Sequence, residues 1–309
     1  MKTILITGGA GNVGSALTEK LSVDDNNLIV IVDNLSTGSL NKVPKKDNVK
    51  FIKADVNNYN DIVSVFGRYN FDYVFHYAAL VGVQRTLDNP MGVLNDIEGI
   101  KNILLLSKNT GVKRVFYSSS SEVYGEPFEI PQNENTTPLN SRLPYAIVKN
   151  VGESYFRSYY QEYGLEYTIF RFFNTYGPNQ SLDFVVPKFL TLALNNEPLT
   201  IFGDGSQTRS FCYVDDNVQT CLNAMSSNLA INEELNIGSS IELSVLELAK
   251  TIIKVTGSSS QIIHMPALKE GDMTRRCPDN TKMKLLLKSE LITLEEGLKK
   301  LVNFYESRN

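Results

Sequence analysis

The strongest constraint on the fold is the regular alternation of short apolar runs with amphipathic segments through the first 173 residues. The apolar runs, rich in branched and aromatic residues, have the length of buried strands: KTILITGG, NLIVIVDN, VKFIKAD, FDYVFHYAA, RVFYSSS and EYTIFRF. Helical patterns fall between or after these runs, at residues 15–21, 61–68, 91–109 and 146–163. Strands that alternate with helices predict an α/β fold whose parallel sheet is covered by helices on both faces.

The pattern changes after Asn174, where proline and glycine become frequent in GPNQ, NEPL and GDGS. We expect a second, smaller α/β unit to begin there, and the helix-like segment VDDNVQTCL to return the chain to the first unit. The predicted division assigns residues 1–173 and about 214–240 to a dinucleotide-binding domain. Residues 174–213 and 241–309 are assigned to a substrate-binding domain.

Composition excludes several classes of function. The net charge of −4 shows no electrostatic footprint for nucleic acid, and no apolar run reaches the length of a membrane span. Three scattered cysteines, Cys212, Cys221 and Cys277, are typical of free thiols in a reducing cytoplasm. Two histidines, His76 and His264, without a cysteine pair give no zinc pattern. We therefore expect a cytoplasmic protein with no nucleic acid, membrane or metal partner.

The glycine cluster TGGAGNVG at residues 7–14 follows one predicted strand and opens one predicted helix. Gly8, Gly11 and Gly14 would let backbone N–H groups approach a pyrophosphate, although such a turn also occurs without a ligand. Asp33 ends the second strand, where a carboxylate accepts both ribose hydroxyls and repels a 2′-phosphate, which favours NAD over NADP. Asp55, at the end of the third strand, is either an adenine-side contact or a simple strand-end cap.

The serine run in RVFYSSSSEVYG lies where a buried strand ends, and open α/β sheets bind ligands at that edge. Tyr145 and Lys149 follow at a spacing of i and i+4, so a helix places them on one face. A lysine ammonium lowers the pKa of a nearby phenol, and a serine hydroxyl can hold the same substrate oxygen. Such a pair also arises by chance on helices, but together with the glycine turn it predicts proton abstraction from a sugar hydroxyl.

Several motifs together resemble one family. They are TGGAGNVG, DNLSTGS, HYAAL, SSSSEVYG, YAIVK, RFFNTYGP, GDGSQTRSFCYVDD and NIGS. Over nearly its whole length the chain is similar to the extended short-chain dehydrogenases/reductases of the nucleotide-sugar epimerase/dehydratase family. The resemblance implies a Rossmann-type doubly wound sheet, bound NAD, a UDP-sugar substrate and a homodimer formed through the helices at 91–109 and 146–163. Those helices would otherwise only cover the sheet.

By this resemblance the catalytic triad is Ser120, Tyr145 and Lys149, with Tyr145 deprotonating the sugar C4 hydroxyl and Lys149 also holding the nicotinamide ribose. The residues expected to bind the cofactor are Gly8, Gly11, Asn12, Val13, Gly14, Asp33, Asn34, Ser36, Thr37, Gly38, Asp55, Val56, Tyr77, Ala78, Ala79, Ser118, Tyr145, Lys149 and Phe172. The residues expected to bind the substrate are Val81, Ser120, Asn174, Val186, Arg209 and Arg276. Arg209 and one arginine of the pair Arg275–Arg276 would reach the diphosphate, unless Arg209 is a surface arginine.

Glu122, next to Ser121, adds an acid–base group one step from the triad. A carboxylate could remove the C5 proton that a C4 ketone acidifies, which favours dehydration, unless Glu122 only caps or pairs locally. The resemblance extends to two branches, the UDP-N-acetylglucosamine 5,6-dehydratase type and the UDP-glucuronate decarboxylases. In the second branch Ser121, Glu122 and Arg276 match residues that act on the sugar.

Three further readings stay open beside dehydration and decarboxylation. A 4-epimerase would only return the hydride to the other face of the ketone. A 4-keto-sugar reductase would use the same triad with net consumption of NADH. A sensor would bind NAD without chemistry, although it would have no use for a phenolate at Tyr145.

Overall fold

The computed structural model describes residues 1–266 and 275–307, apart from the side chains of residues 83 and 84. The strands are β1 Lys2–Thr7, β2 Asn27–Asp33, β3 Val49–Lys53, β4 Tyr73–His76, β5 Arg114–Ser120, β6 Glu166–Phe172, β7 Thr175–Tyr176, β8 Leu199–Phe202, β9 Thr208–Ser210, β10 Cys212–Tyr213, β11 Glu233–Ile237, β12 Glu242–Ser244 and β13 Ile262–Met265. The helices are α1 Asn12–Leu21, α2 Tyr59–Arg68, α3 Val83–Asp88, α4 Pro90–Thr110, α5 Pro144–Tyr163, α6 Val185–Leu194, α7 Val214–Met225, α8 Val245–Thr256, α9 Thr281–Leu287 and α10 Leu294–Glu306.

A parallel sheet of seven strands forms the centre of the described part of the chain, in the order β11-β6-β5-β4-β1-β2-β3. The strand order reverses between β1 and β4, and the carboxyl ends of those strands border a crevice where open sheets bind ligands. The predicted Rossmann-type α/β fold is therefore confirmed. β11 comes from late in the chain and joins the edge of the sheet beside β6.

The central strands are buried on both faces, which explains their continuous apolar sequences. Successive residues of β1 enter opposite cores, since Ile4 and Ile6 pack in one cluster and Leu5 in the other. Strand β2 divides in the same way, with Ile31 in the first cluster and Val30 in the second. Helices α2, α4 and α5 cover one face, while α1 and α7 pack together over the other. A sheet covered on both faces leaves its strand ends as the open surface.

Smaller two-stranded sheets lie outside the central sheet, and they pair β7 with β10, β8 with β13 and β9 with β12. Their strands, at residues 175–176, 199–202, 208–210, 212–213, 242–244 and 262–265, all lie within the region expected to bind substrate. The division into two domains at the predicted boundaries stays a prediction. Across the described ranges, no helix combines the length and apolar character needed to cross a bilayer.

Candidate active site

A cleft with a volume of about 600 Å³ opens at the carboxyl ends of the central strands and reaches helix α6. Nearly all the residues that the sequence predicted for cofactor, sugar and catalysis line it together. Gly38 and Arg209 are the two predicted residues that do not line it. The fold therefore brings one set of distant motifs to one site, and their individual roles stay predictions.

The glycine turn has the close backbone approaches that its sequence predicts. Gly8 has φ +70°, and a Cβ there would lie 2.7 Å from the Ala78 nitrogen. A Cβ on Gly14 would lie 2.4 Å from the carbonyl oxygen of Gly8. Helix α1 begins at Asn12 after Gly11, which offers no side-chain cap. The N-terminus of α1 is therefore open to a phosphate group, and a larger residue in the turn would fill the cradle.

Asp33 is fixed at the end of β2 by backbone donors. The nitrogen of Ala10 donates to its Oδ2 at 3.0 Å and the nitrogen of Leu35 to its Oδ1 at 2.8 Å. Gly38 packs against this carboxylate, because a Cβ on Gly38 would lie 2.8 Å from Asp33 Oδ1. Gly38 therefore supports the carboxylate rather than lining the cleft. This arrangement fits a dinucleotide, with Asp33 available to the ribose hydroxyls.

Asp55 caps the end of β3, and its contact with an adenine stays a prediction. Its Oδ1 accepts a hydrogen bond from the Asn57 nitrogen at 2.9 Å, which is a strand-end cap, and the residue also lines the cleft. Lys42 lines the same end of the cleft and was missed in the sequence, because a single lysine in a loop carries no pattern. Burial lowers the pKa of Lys42, and the Asp33 carboxylate opposes that shift.

Helix α5 places Tyr145 and Lys149 on one face, directly above the end of β5. The Lys149 ammonium donates to the carbonyl oxygen of Ser118 at 2.6 Å, and its Nζ lies 5.6 Å from the centre of the Tyr145 ring. Burial lowers the pKa of Lys149 to about 8. The lysine is therefore a buried cation poised to lose its proton just above neutral pH.

The phenol of Tyr145 lies between opposing influences. Burial raises its pKa and the Glu122 carboxylate raises it further, while a hydrogen bond with Ser120 lowers it. Ser120 Oγ also accepts from the Glu122 nitrogen at 3.2 Å, which fixes the turn that follows β5. Release of the phenol proton therefore depends on nearby positive charge, which the Lys149 ammonium supplies and a cationic nicotinamide would increase.

Glu122 forms an ion pair with Arg276, at 2.7 Å between Oε1 and Nη2, with only 13% and 9% of the two side chains exposed. The contact is not local in sequence. Arg276 reaches the cleft because Gln132 pairs with the chain on either side of Pro278, donating to the Cys277 carbonyl at 2.8 Å. Within the described ranges, Glu122 Oε2 and Arg276 Nε are buried without a hydrogen-bond partner.

The predicted substrate residues divide into two groups. Asn174 and Val186 line the cleft, and the Asn174 amide donates to the Ser210 carbonyl at 2.9 Å. Arg209 is 8% exposed, so it is not a surface arginine, and its Nη1 donates to the Thr208 carbonyl at 2.7 Å. Its contact with a diphosphate stays a prediction.

Two charged residues that the sequence did not single out also line the cleft, Arg85 and Asp96. Arg85 donates to the carboxylate of Asp183 at 2.6 Å and to the Val81 carbonyl at 2.8 Å. Asp96 lies inside the helix predicted at 91–109, and Arg85 lies in α3, just before it. Neither residue belongs to a recognisable motif, so only the fold shows that they line the site.

A buried polar network holds the serine run against helix α5. Glu153, fully buried, accepts from Ser119 Oγ at 2.6 Å and from the Arg171 guanidinium at 2.7 and 2.9 Å. Arg171 also donates to the hydroxyl of Tyr124 at 2.8 Å. This network ties the end of β5 to both α5 and β6, so Ser120 and Tyr145, predicted to be catalytic, share one rigid frame.

Known proteins with similar sequences and folds have related chemistry. A putative UDP-glucose 4-epimerase of Methanocaldococcus jannaschii is 36% identical over 311 residues, which cover 99% of each chain. The UDP-glucuronic acid decarboxylase 1 of Danio rerio is 37% identical over 98% of this chain and 72% of its own length. The solved UDP-glucose 4-epimerase of Thermotoga maritima, with UDP-glucose, has a TM-score of 0.93, 34% identity and 99% coverage of both chains. Nucleotide-sugar dehydratases are also among the similar solved structures.

The family model described as the NAD dependent epimerase/dehydratase family matches residues 4–238, well over half of the chain. The relatives modify nucleotide sugars, and NAD is the cofactor of the family. Together with the glycine turn, the carboxylate of Asp33 and the tyrosine–lysine pair, these matches show that the chain is an NAD-dependent enzyme that belongs to the epimerase/dehydratase family.

Proposed function

We propose that the protein converts a UDP-sugar through a transient ketone at C4, and that the ketone is followed by loss of water. The observation that carries this proposal is the position of Glu122, which lines the cleft close enough to Tyr145 for its charge to raise the phenol pKa. A carboxylate in the same cleft as the C4 base can act on C5, the neighbouring carbon of the sugar.

The first step belongs to the triad. Tyr145 accepts the proton of the C4 hydroxyl, Ser120 holds the same oxygen, and the Lys149 ammonium stabilises the phenolate. NAD, when bound, supplies the hydride acceptor for C4 and gives the hydride back at the end. The resulting ketone makes the C5 proton acidic, which creates work for a second base.

Glu122 then removes the C5 proton, and the same carboxyl group can protonate the departing C6 hydroxyl, so that water leaves and a double bond forms. The Glu122–Arg276 pair supports a neutral substituent at C6. A hydroxyl can donate to Glu122 and accept from Arg276, both of which keep a buried atom without a partner in the described chain. A substrate carboxylate would instead face the like charge of Glu122.

Decarboxylation of a UDP-uronate is the second candidate, and the cleft position of Arg276 favours it. A C6 carboxylate is β to a C4 ketone, so carbon dioxide can leave without a base, and Glu122 would then return a proton to C5. Relatives named UDP-glucuronic acid decarboxylase give this candidate support. A 4-epimerase, the name of another relative, would leave Glu122 without a role in the chemistry.

Mass spectrometry of three separate reactions tests these proposals. The purified protein and NAD are incubated with UDP-N-acetylglucosamine, UDP-glucose and UDP-glucuronate in turn. We expect loss of water from a neutral sugar. Loss of carbon dioxide from the glucuronate alone would establish the second candidate, and an unchanged mass with a new isomer by NMR would establish an epimerase. Sustained loss of NADH absorbance with a keto-sugar would identify a reductase.

The Glu122→Gln variant tests the residue itself. Loss of a general base lowers turnover by about 10²- to 10⁴-fold, and we expect that loss with NAD affinity unchanged. Glu290→Gln, at an exposed position outside the cleft, is the matched control. Full activity in Glu122→Gln would show that the carboxylate is only the partner of Arg276.

We also propose that α4 and α5 pair with the same helices of a second copy. The two helices pack side by side and present exposed apolar residues, including Met91, Ile147 and Tyr163. Light scattering on the purified protein measures the mass, and a monomer at micromolar concentration would contradict the proposal.

A cytoplasmic location is proposed from the cysteines. Cys212, Cys221 and Cys277 are free thiols, the state that a reducing compartment maintains. A fluorescent fusion that localised elsewhere would contradict it.

A further inference from the structure

A second, small cavity adjoins the cleft behind the catalytic pair. Its volume is about 10 Å³, near the space that one water molecule occupies. The polar and charged residues that line it are His76, Asp96, Tyr117, Tyr145 and Lys149. Asp96 is the one carboxylate in that lining, and it also lines the main cleft. Asp96 and Lys149 therefore line the same small cavity.

Asp96 is held firmly in this position. Its Oδ2 accepts a hydrogen bond from the Leu80 nitrogen at 2.7 Å, and its Oδ1 accepts from the Asn57 amide at 3.2 Å. Leu80 follows β4 and Asn57 follows β3, so the carboxylate of α4 is bound to two segments that line the cofactor half of the cleft. Its charge consequently stays fixed relative to Lys149.

The other groups around Lys149 are neutral or already paired. Glu153, one turn along α5, also raises the pKa of Lys149, but less than Asp96 does, and it is paired with Arg171. His76, on β4, is neutral because burial lowers its pKa to about 3, and its Nδ1 bonds the hydroxyl of Thr7. Burial raises the pKa of Tyr117, on β5, so that phenol is neutral too.

We propose that Asp96 is a positioning residue, which keeps Lys149 charged and thereby sets the pH range in which the Tyr145–Lys149 pair works. This proposal rests on the proposed function only where turnover of a UDP-sugar is measured. The binding of NADH can be measured without a sugar and does not depend on the proposed function. Asp96 acts through Lys149 and Tyr145 and is assigned no contact with the reacting atoms.

The sign of the effect follows from charge. A negative group favours the protonated form of each neighbour, and Asp96 raises the pKa of both Lys149 and Tyr145. Removing the charge should therefore move the alkaline limb of the pH profile, which follows loss of the Lys149 proton, toward acid by about one pH unit. A merely structural role would lower the height of the profile and leave its limbs in place.

The experiment compares wild type, Asp96→Asn and Asp96→Glu. NADH affinity is measured by fluorescence between pH 6 and 10 without sugar, and kcat/KM is measured over the same range with the UDP-sugar that turns over. We expect an alkaline limb near pH 8 in wild type, a shift to about pH 7 in Asp96→Asn, and recovery in Asp96→Glu. The Lys149→Met variant has no ammonium to titrate, so it should show no alkaline limb. Should Asp96→Asn fail to fold, Asp96→Ser supplies the same measurement.

The proposal is overturned if the alkaline limb of NADH affinity stays at the same pH in Asp96→Asn as in wild type. It is also overturned if Lys149→Met still shows the limb that wild type shows. A shifted NADH limb with no turnover of any UDP-sugar leaves the role of Asp96 standing and refutes the proposed reaction instead.

Discussion

Replacing Gly14 by alanine is the sharpest test of the cofactor cradle. The new methyl carbon would lie 2.4 Å from the Gly8 carbonyl oxygen and 2.8 Å from the Gly9 Cα. Ordinary contacts are about 3.5 Å, so α1 must move away from the turn by about 1 Å. Such a shift removes the N-terminus of α1 from hydrogen-bond range of the pyrophosphate. One hydrogen bond to a charged group is worth about 1.5–3 kcal/mol, and we therefore expect NAD to bind about 10- to 150-fold more weakly.

Isothermal titration with NAD measures the effect, and Gly67→Ala is the matched control. Gly67 lies inside α2, where a Cβ would meet nothing within 4 Å. Alanine is a better helix former than glycine by about 1 kcal/mol, so Gly67→Ala should be slightly more stable and bind NAD as wild type does. Wild-type affinity in Gly14→Ala would refute the assignment of this turn to the pyrophosphate.

Two further predictions concern stability. The folded-state pKa of His76 is about 3 against an ordinary 6.5, so the unfolded chain takes up a proton as pH falls below 6.5. The free energy of unfolding in urea should therefore fall by about 2 kcal/mol between pH 7 and pH 5, and His76→Gln should not show this loss. Equal losses in both proteins would contradict the prediction. Arg171→Leu should lower the free energy of unfolding by about 3–5 kcal/mol, because it leaves the buried Glu153 without its partner. Adding Glu153→Leu should restore part of that loss, and a further drop in the double variant would show that the pair is not the cause.

The fold could be predicted from the sequence because its evidence is local. The glycine turn and the apolar runs of the first six central strands each extend over fewer than ten residues. The predicted helices at 15–21 and 146–163 begin within three residues of α1 and α5. The seventh strand, Glu233–Ile237, is different, because three of the five residues in its sequence EELNI are polar and only its pairing with β6 makes it a strand.

The candidate site was predictable to the same degree and for the same reason. Tyr145 and Lys149 carry a spacing that a helix converts into proximity, and Asp33 follows a strand at a set distance. Lys42 and Asp96 carry no such pattern. Asp96 faces Lys149 only because α4 and α5 pack beside one another, and that packing depends on side chains spread over both helices.

The reaction outcome depends on a contact that sequence reasoning could not place. A C4 ketone is common to epimerases, decarboxylases and dehydratases, so the triad alone does not separate them. Under the proposed function, the charge beside C5 and C6 separates them, and we propose that the ion-paired Glu122 and Arg276 set that charge together. Each was predicted to act in the site, but their ion pair depends on the bridge between Gln132 and Pro278 that brings the late segment back to the serine run. The opposite charges of Glu122 and Arg276 nearly cancel, and within the described chain each side chain keeps one hydrogen-bonding atom without a partner. The proposed site therefore suits an uncharged hydroxyl at C6 better than a carboxylate.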